Sequence, residues 1–510
     1  MTRKLLSYWS FLWIACIFWI AGCAVATPVI SDSDEAPPTN QDVSSPQPTQ
    51  PPSVAASSTP ESMFVDSKEE DTSTNLIIPD VQLSKEGPWW IFSTEQGLWA
   101  VNPDGTGLKR VSSQEFQPPF NRHIVIAPRG GYVAFINGRD WMFDVTLRII
   151  QLPWPSMITE KPLTSEQSEP SEDAMPGDAS VEAIRAMVDI QSLAFSPDGE
   201  YLAFMGAING NSSDLYVYSM QAMAETQLTD GPSQGIKPVW SPDSKYIVHA
   251  GVSSLGTGAG YGMEGFWAAQ ADDSEIITLF DPSGTGDQEV IGWVDNRTFV
   301  VYSWHAGCGP QDLRTFNIET KESQVLWESA FQAIAFHPAE AVSLLVVNHE
   351  HESERCNPDN NFGLYLVRSD GTPPFEILGE KIYRVIWSEN ANLFLVESEF
   401  GILAVDSLGQ YIDLDVPAGS SSLPAAAPIT RDLVWTGDGL WIGSLLGSIE
   451  NPPIKFFNQD TYNATWDPQG EYVLFFSDSG LYVAQKPEYI PILIAEGLDN
   501  QNGFSGWVVP

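Results

Sequence analysis

With 510 residues, 66 Asp and Glu against 24 Lys and Arg, and six His, the chain carries a formal net charge of −42. A body this acidic repels phosphate backbones and anionic headgroups, which argues against nucleic-acid binding and against direct docking on acidic lipid. Solubility outside the cytoplasm accounts for most of the charge.

Arg3 and Lys4 precede an uncharged apolar run from Leu5 to Ala21. The run is too short to cross a bilayer comfortably, and residues 1–22 read as a secretory signal. It ends in Ile20-Ala21-Gly22-Cys23, which resembles the bacterial lipobox. That resemblance implies cleavage before Cys23 and acylation of its thiol. An uncleaved signal anchor is the plainer alternative, but the small residues fall where cleavage needs them. Removing residues 1–22 leaves 22 basic against 66 acidic side chains, a net charge of −44. Acyl chains contribute about 0.8 kcal/mol per buried CH2, so several chains on one Cys would hold the protein on a membrane. The expected location is the cell envelope on the non-cytoplasmic side, periplasmic or cell surface, with membrane contact through the lipid anchor only.

Residues 23–84 are rich in Pro, Ser, Thr, Asp and Glu and poor in aromatics, as in Ser45-Pro46-Gln47-Pro48. Such a segment cannot bury enough apolar surface to offset ordering entropy, and it reads as a disordered, partly polyproline tether.

From residue 85 onward, short β-branched and aromatic runs recur between Gly, Pro, Asn and Asp turns, and no long 3.6-residue periodicity appears. The region is expected to be all-β. Phe195-Ser196-Pro197-Asp198-Gly199-Glu200-Tyr201 is echoed by Trp240-Ser241-Pro242-Asp243-Ser244-Lys245-Tyr246 and Trp466-Asp467-Pro468-Gln469-Gly470-Glu471-Tyr472. Leading aromatics fall at 195, 240, 293, 336, 387, 435 and 466, intervals that mostly suit one four-stranded blade. In the clear copies the aromatic ends an inner strand, a Pro-Asp-Gly-like turn reverses the chain, and Tyr with alternating apolar residues forms the next strand, while the units at 293, 336, 387 and 435 are degenerate. Each sheet would be apolar on both faces and unstable alone, so neighbours must stack until a ring closes. Residues 89–112 read as the later strands of a blade without its first strand, and Phe504-Ser505-Gly506-Trp507-Val508-Val509 reads as an inner strand with nothing after it. Pairing the two would close the ring and remove an exposed edge.

These Ser-Pro-Asp-Gly-x-Tyr units resemble the TolB-type, WD40-like (PD40) β-propeller repeat across nearly all of residues 88–510. Nine units can be counted, the one at Trp435 short. A single propeller of eight four-stranded blades is the favoured expectation, with seven or nine open.

Candidate sites are few. Cys308 and Cys356 lie between the second and third strands of consecutive units, on loops expected to emerge on one face, where an oxidising compartment favours a disulfide. His305, His349 and His351 accompany those cysteines and make a zinc or copper set the minority alternative, although the spacings match no named motif. Residues 164–188, acidic and rich in Ser and Pro, read as a solvated inter-blade insertion rather than a docking arm. Similar propellers precede a hydrolase domain carrying a Gly-x-Ser-x-Gly elbow in prolyl-oligopeptidase-like peptidases, but Gly503-Phe504-Ser505-Gly506-Trp507, directly after the last repeat, lacks the second Gly in the required place. No catalytic residue and no cofactor is implied. The expected function is a non-catalytic, surface-tethered module that binds or scaffolds an envelope or extracellular protein, peptide or glycan. The alternative is an extracellular hydrolase or lyase with a channel-lining active site.

Overall fold

The computed structural model describes residues 82–510, except 113–123, 138–145, 154–155, 164–192, 209–211, 232–233, 255–260, 272–275, 281–286, 306–307, 348–355, 358–360, 415, 417–422, 446–451 and 501–502. The expected signal segment, Cys23, the expected 164–188 insertion and all but the last three residues of the expected tether lie outside the described residues.

The repeat motif builds a turn that is closed by its own side chains. After the strand Leu193–Phe195, Ser196 N–H donates to Tyr201 O at 2.9 Å, and Gly199 N–H donates to Ser196 O at 2.8 Å. Ser196 Oγ accepts from Tyr201 N–H at 3.0 Å, while Asp198 Oδ1 accepts from Glu200 N–H at 3.0 Å. Gly199 sits at φ +68°, where a Cβ would be strained. The fourth blade repeats this with Ser241 and Asp243, and the ninth with Asp467, whose Oδ1 accepts from Glu471 and Tyr472 N–H at 2.6 and 2.7 Å.

These hairpins extend into nine antiparallel four-stranded sheets among the described residues. Numbered by their later strands, the blades span 89–112, 124–162, 193–227, 234–280, 287–327, 333–378, 382–413, 425–457 and 461–496. The favoured count of eight is therefore corrected to nine. The error came from the eighth blade: its inner strand is only Ala425–Ala426, with no aromatic, and Trp435 lies instead in the second strand, Asp432–Thr436. Ala427 N–H donates to Asp432 O at 2.9 Å, the same bond that Ser196 makes to Tyr201. The blade thus begins well before Trp435, about midway between Trp387 and Trp466, and has full size.

First strands of successive blades approach one another, as Leu193–Phe195 does Gln234–Trp240 and Ala333–His337 does Ile382–Ser388, which places these strands around a common channel. Leading tryptophans tie one blade to the one before. Trp240 Nε1 donates to Ala194 O at 2.8 Å, and Trp466 Nε1 donates to Ala425 O at 3.1 Å.

Strand alternation sends one set of side chains to each neighbour. Val133 and Phe135 join Trp89 and Ile91 of the first blade, whereas Ala134 and Ile136 join Leu202 and Phe204 of the third. Every one of the nine seams holds one such apolar cluster. At the last seam, Trp90, Phe92 and Val101 pack with Leu474, Phe476 and Leu481. The tail completes the first blade: Trp89–Thr94 pairs with Ser505–Val508 in the register Trp89↔Val508, Trp90↔Trp507, Ile91↔Gly506 and Phe92↔Ser505. No described helix is long and apolar enough to cross a membrane.

Candidate functional site in the channel wall

The fourth blade's inner strand, Gln234–Trp240, carries a bulge between Ile236 and Val239, so Lys237 and Pro238 lie outside the regular pairing with Tyr246–Ser254. Lys237 adopts φ +54° directly before Pro238. A non-glycine residue there costs on the order of 1 kcal/mol, and a following proline narrows its conformations further. The matching bulge of the ninth blade holds Asn463 at φ +51°, a residue type that tolerates this region, with its amide donating to Asn500. The fourth blade instead places a long cation there.

Lys237 meets the inner strand of the fifth blade, Asp287–Trp293: its Nζ lies 3.5 Å from Glu289 Oε2. Glu289 is held from the other side by Tyr302, its cross-strand neighbour, whose hydroxyl donates to Oε2 at 2.8 Å. Burial, followed by the hydrogen bond to Glu289, pushes the Tyr302 phenol well above its ordinary value, so it remains a donor at any physiological pH. Beside them, buried Gln288 donates through Nε2 to Ser303 Oγ at 3.3 Å.

Lys237, Gln288 and Glu289 line a half-open recess of about 120 Å³ with Leu193, Pro238, Val239, Ala250, Phe266 and Val290. Inner strands of three blades therefore converge on a recess whose exposed lining is divided evenly between polar and apolar atoms, with one cation, one carboxylate and one amide. Convergent polar groups beside apolar side chains in a concave site are a feature of small-ligand sites.

A second polar couple lies in the channel wall of the seventh blade, where Arg384 Nε donates to the nearly buried Glu397. Tyr383 and Ile386, from the same inner strand, are 51% and 41% exposed, giving this sector an aromatic and aliphatic surface.

The residues singled out from sequence sit elsewhere. Cys308, between Thr298–His305 and Gly309–Asn317, and Cys356, between Val342–Val347 and Gly363–Arg368, are joined by a disulfide with Cα atoms 5.4 Å apart. The bond staples the fifth blade to the sixth and occupies both thiols. His305 is the last residue of its strand, and its side chain lies outside the described residues, as do His349 and His351 entirely. No cluster of three or more metal-ligating side chains occurs among the described residues.

Sequence reading missed Lys237, Gln288, Glu289 and Tyr302. The available signal was Lys237-Pro238 inside an inner strand, since a proline within a strand marks a bulge or an edge.

The fold and this recess define the chain as a nine-bladed β-propeller with a polar pocket in its channel wall. It matches no protein-family model. Over 54 residues, 11% of its length, it is 41% identical to the uncharacterized peptidase YuxL of Bacillus subtilis (strain 168), a stretch that spans 8% of that relative. Among solved structures it is similar to a eukaryotic initiation factor, with a TM-score of 0.51 and 12% identity over 84% of this chain and 100% of that one. TolB from Acinetobacter baumannii aligns over 56% of this chain and 63% of its own, with a TM-score of 0.30 and 13% identity. At such identities the likeness concerns fold, and the first of these carries it.

Proposed function

We propose that the chain is a non-catalytic binding propeller, held on the non-cytoplasmic side of the envelope by a lipid on Cys23, that takes a protein, peptide or glycan ligand at the channel face of its fourth and fifth blades. The observation that carries this reading is the Lys237–Glu289–Tyr302 chain at a recess of mixed polar and apolar lining. A bulged, left-handed lysine before a proline carries a backbone cost, and such an outlier motivates a hypothesis of function. Propellers host unrelated activities, so the site rather than the fold supports the assignment.

The test uses peptide and glycan arrays probed with the full chain and with Lys237→Met and Glu289→Gln. Specific binding lost in both variants is the expected result; binding unchanged in both would move the site elsewhere. For the anchor, Cys23→Ser is expected to shift the protein from the membrane fraction to the soluble one.

A second reading, a hydrolase or lyase acting through the channel wall, is favoured by the short likeness to a peptidase. Turnover of a peptide or polysaccharide library that disappears in Glu289→Gln would establish it and displace the first.

A further inference from the structure

We propose that the recess on the fourth and fifth blades is a receptor site for a free α-amino acid with an apolar side chain, its carboxylate held by Lys237 and its ammonium by Glu289. This rests on the binding reading above and names its ligand class.

Charge balance selects the class. The recess offers one ammonium and one carboxylate, 3.5 Å apart, inside a body of formal net charge −42. A simple carboxylate would leave two anions sharing Lys237, and the field of the whole protein would oppose its approach. A simple amine would leave two cations sharing Glu289. A zwitterion brings one charge of each sign and leaves the site neutral.

The existing pair is also suited to being opened. Its separation exceeds that of a well-formed charged hydrogen bond, about 2.7–2.9 Å, so insertion can exchange one long contact for two shorter ones. Both side chains are partly exposed, 24% for Lys237 and 35% for Glu289, and pairs in that setting contribute little to stability. Glu289 keeps the Tyr302 hydroxyl at 2.8 Å when Lys237 swings away, so neither partner is stranded. Leu193, Val239 and Val290 supply the apolar wall for the ligand's side chain.

Calorimetric titration of the full chain tests this with L-leucine and L-phenylalanine against three partial probes: N-acetyl-L-leucine, which lacks the ammonium, L-leucinamide, which lacks the carboxylate, and glycine, which lacks the side chain. Saturable binding of leucine, weakened at least tenfold in each partial probe, is expected. Lys237→Met is expected to abolish the preference for leucine over leucinamide, and Glu289→Gln the preference for leucine over N-acetyl-leucine. Unchanged circular dichroism and thermal midpoints would show that both variants fold. Absence of leucine and phenylalanine binding, or equal binding of the capped probes, overturns the proposal. If array ligands still bind and are lost in Lys237→Met while free amino acids do not bind, the general binding reading stands and this inference alone fails.

Discussion

Acidification should weaken the fourth blade through one buried imidazole. His249 lies in Tyr246–Ser254, is 5% exposed and stacks on Trp267 with ring centroids 6.0 Å apart. Its Nδ1 lies 3.4 Å from Ala250 O, and its Nε2 has no hydrogen-bond partner among the described residues. Burial, only partly offset by the Ala250 carbonyl, lowers its pKa to about 4. Because the folded pKa is depressed below an unfolded value of about 6.5, the unfolded chain binds the proton first, and stability is lost as pH falls through that window. The loss reaches about 2 kcal/mol at pH 5 and about 3 kcal/mol once pH is below 4. Asp214 acts in the opposite sense: burial raises its carboxyl, so its cost appears as pH rises above the ordinary carboxylate range. Comparison of the native chain with His249→Leu isolates the imidazole. Thermal midpoints measured from pH 7.5 to 4 should fall more steeply for the native chain, with the difference opening between pH 6.5 and 4. Parallel curves would refute the reasoning.

Two further outcomes concern the seams. Trp90 is fully buried against Phe92, Phe476 and Trp507, and its indole N–H has no hydrogen-bond partner among the described residues; Trp90→Ala should therefore cost about 3–5 kcal/mol in urea unfolding, and Trp90→Phe much less. The disulfide closes a sequence separation of 48 residues, worth about 4 kcal/mol on the chain-entropy description, so the thermal midpoint should drop on reduction and stay unchanged by reductant in Cys308→Ser/Cys356→Ser.

The architecture was legible because its turns are local chemistry. Ser196, Asp198, Gly199 and Tyr201 close a hairpin through bonds among themselves, so the repeat shows directly in sequence wherever those residues recur. The eighth blade was misplaced because Ala425–Ala426 has neither the aromatic nor the Asp turn, while Trp435 imitates a leading aromatic from the second strand, stacked on Trp441. The pocket was illegible for a different reason. Lys237 and Glu289 belong to different repeats and meet only because a bulge and the wedge between blades bring them together, and a single chain without structure carries no mark of that meeting beyond Pro238.

The central claim is that nine wedges depend on one another around a channel and that the tail strand completes the first of them. Hydrogen exchange on the full chain and on a chain ending at Gly503 tests it most directly. Loss of Ser505–Val508 should remove protection from Trp89–Thr94 and weaken the seam with Leu474 and Phe476. Undiminished protection of Trp89–Thr94 in the shortened chain would contradict the closed ring.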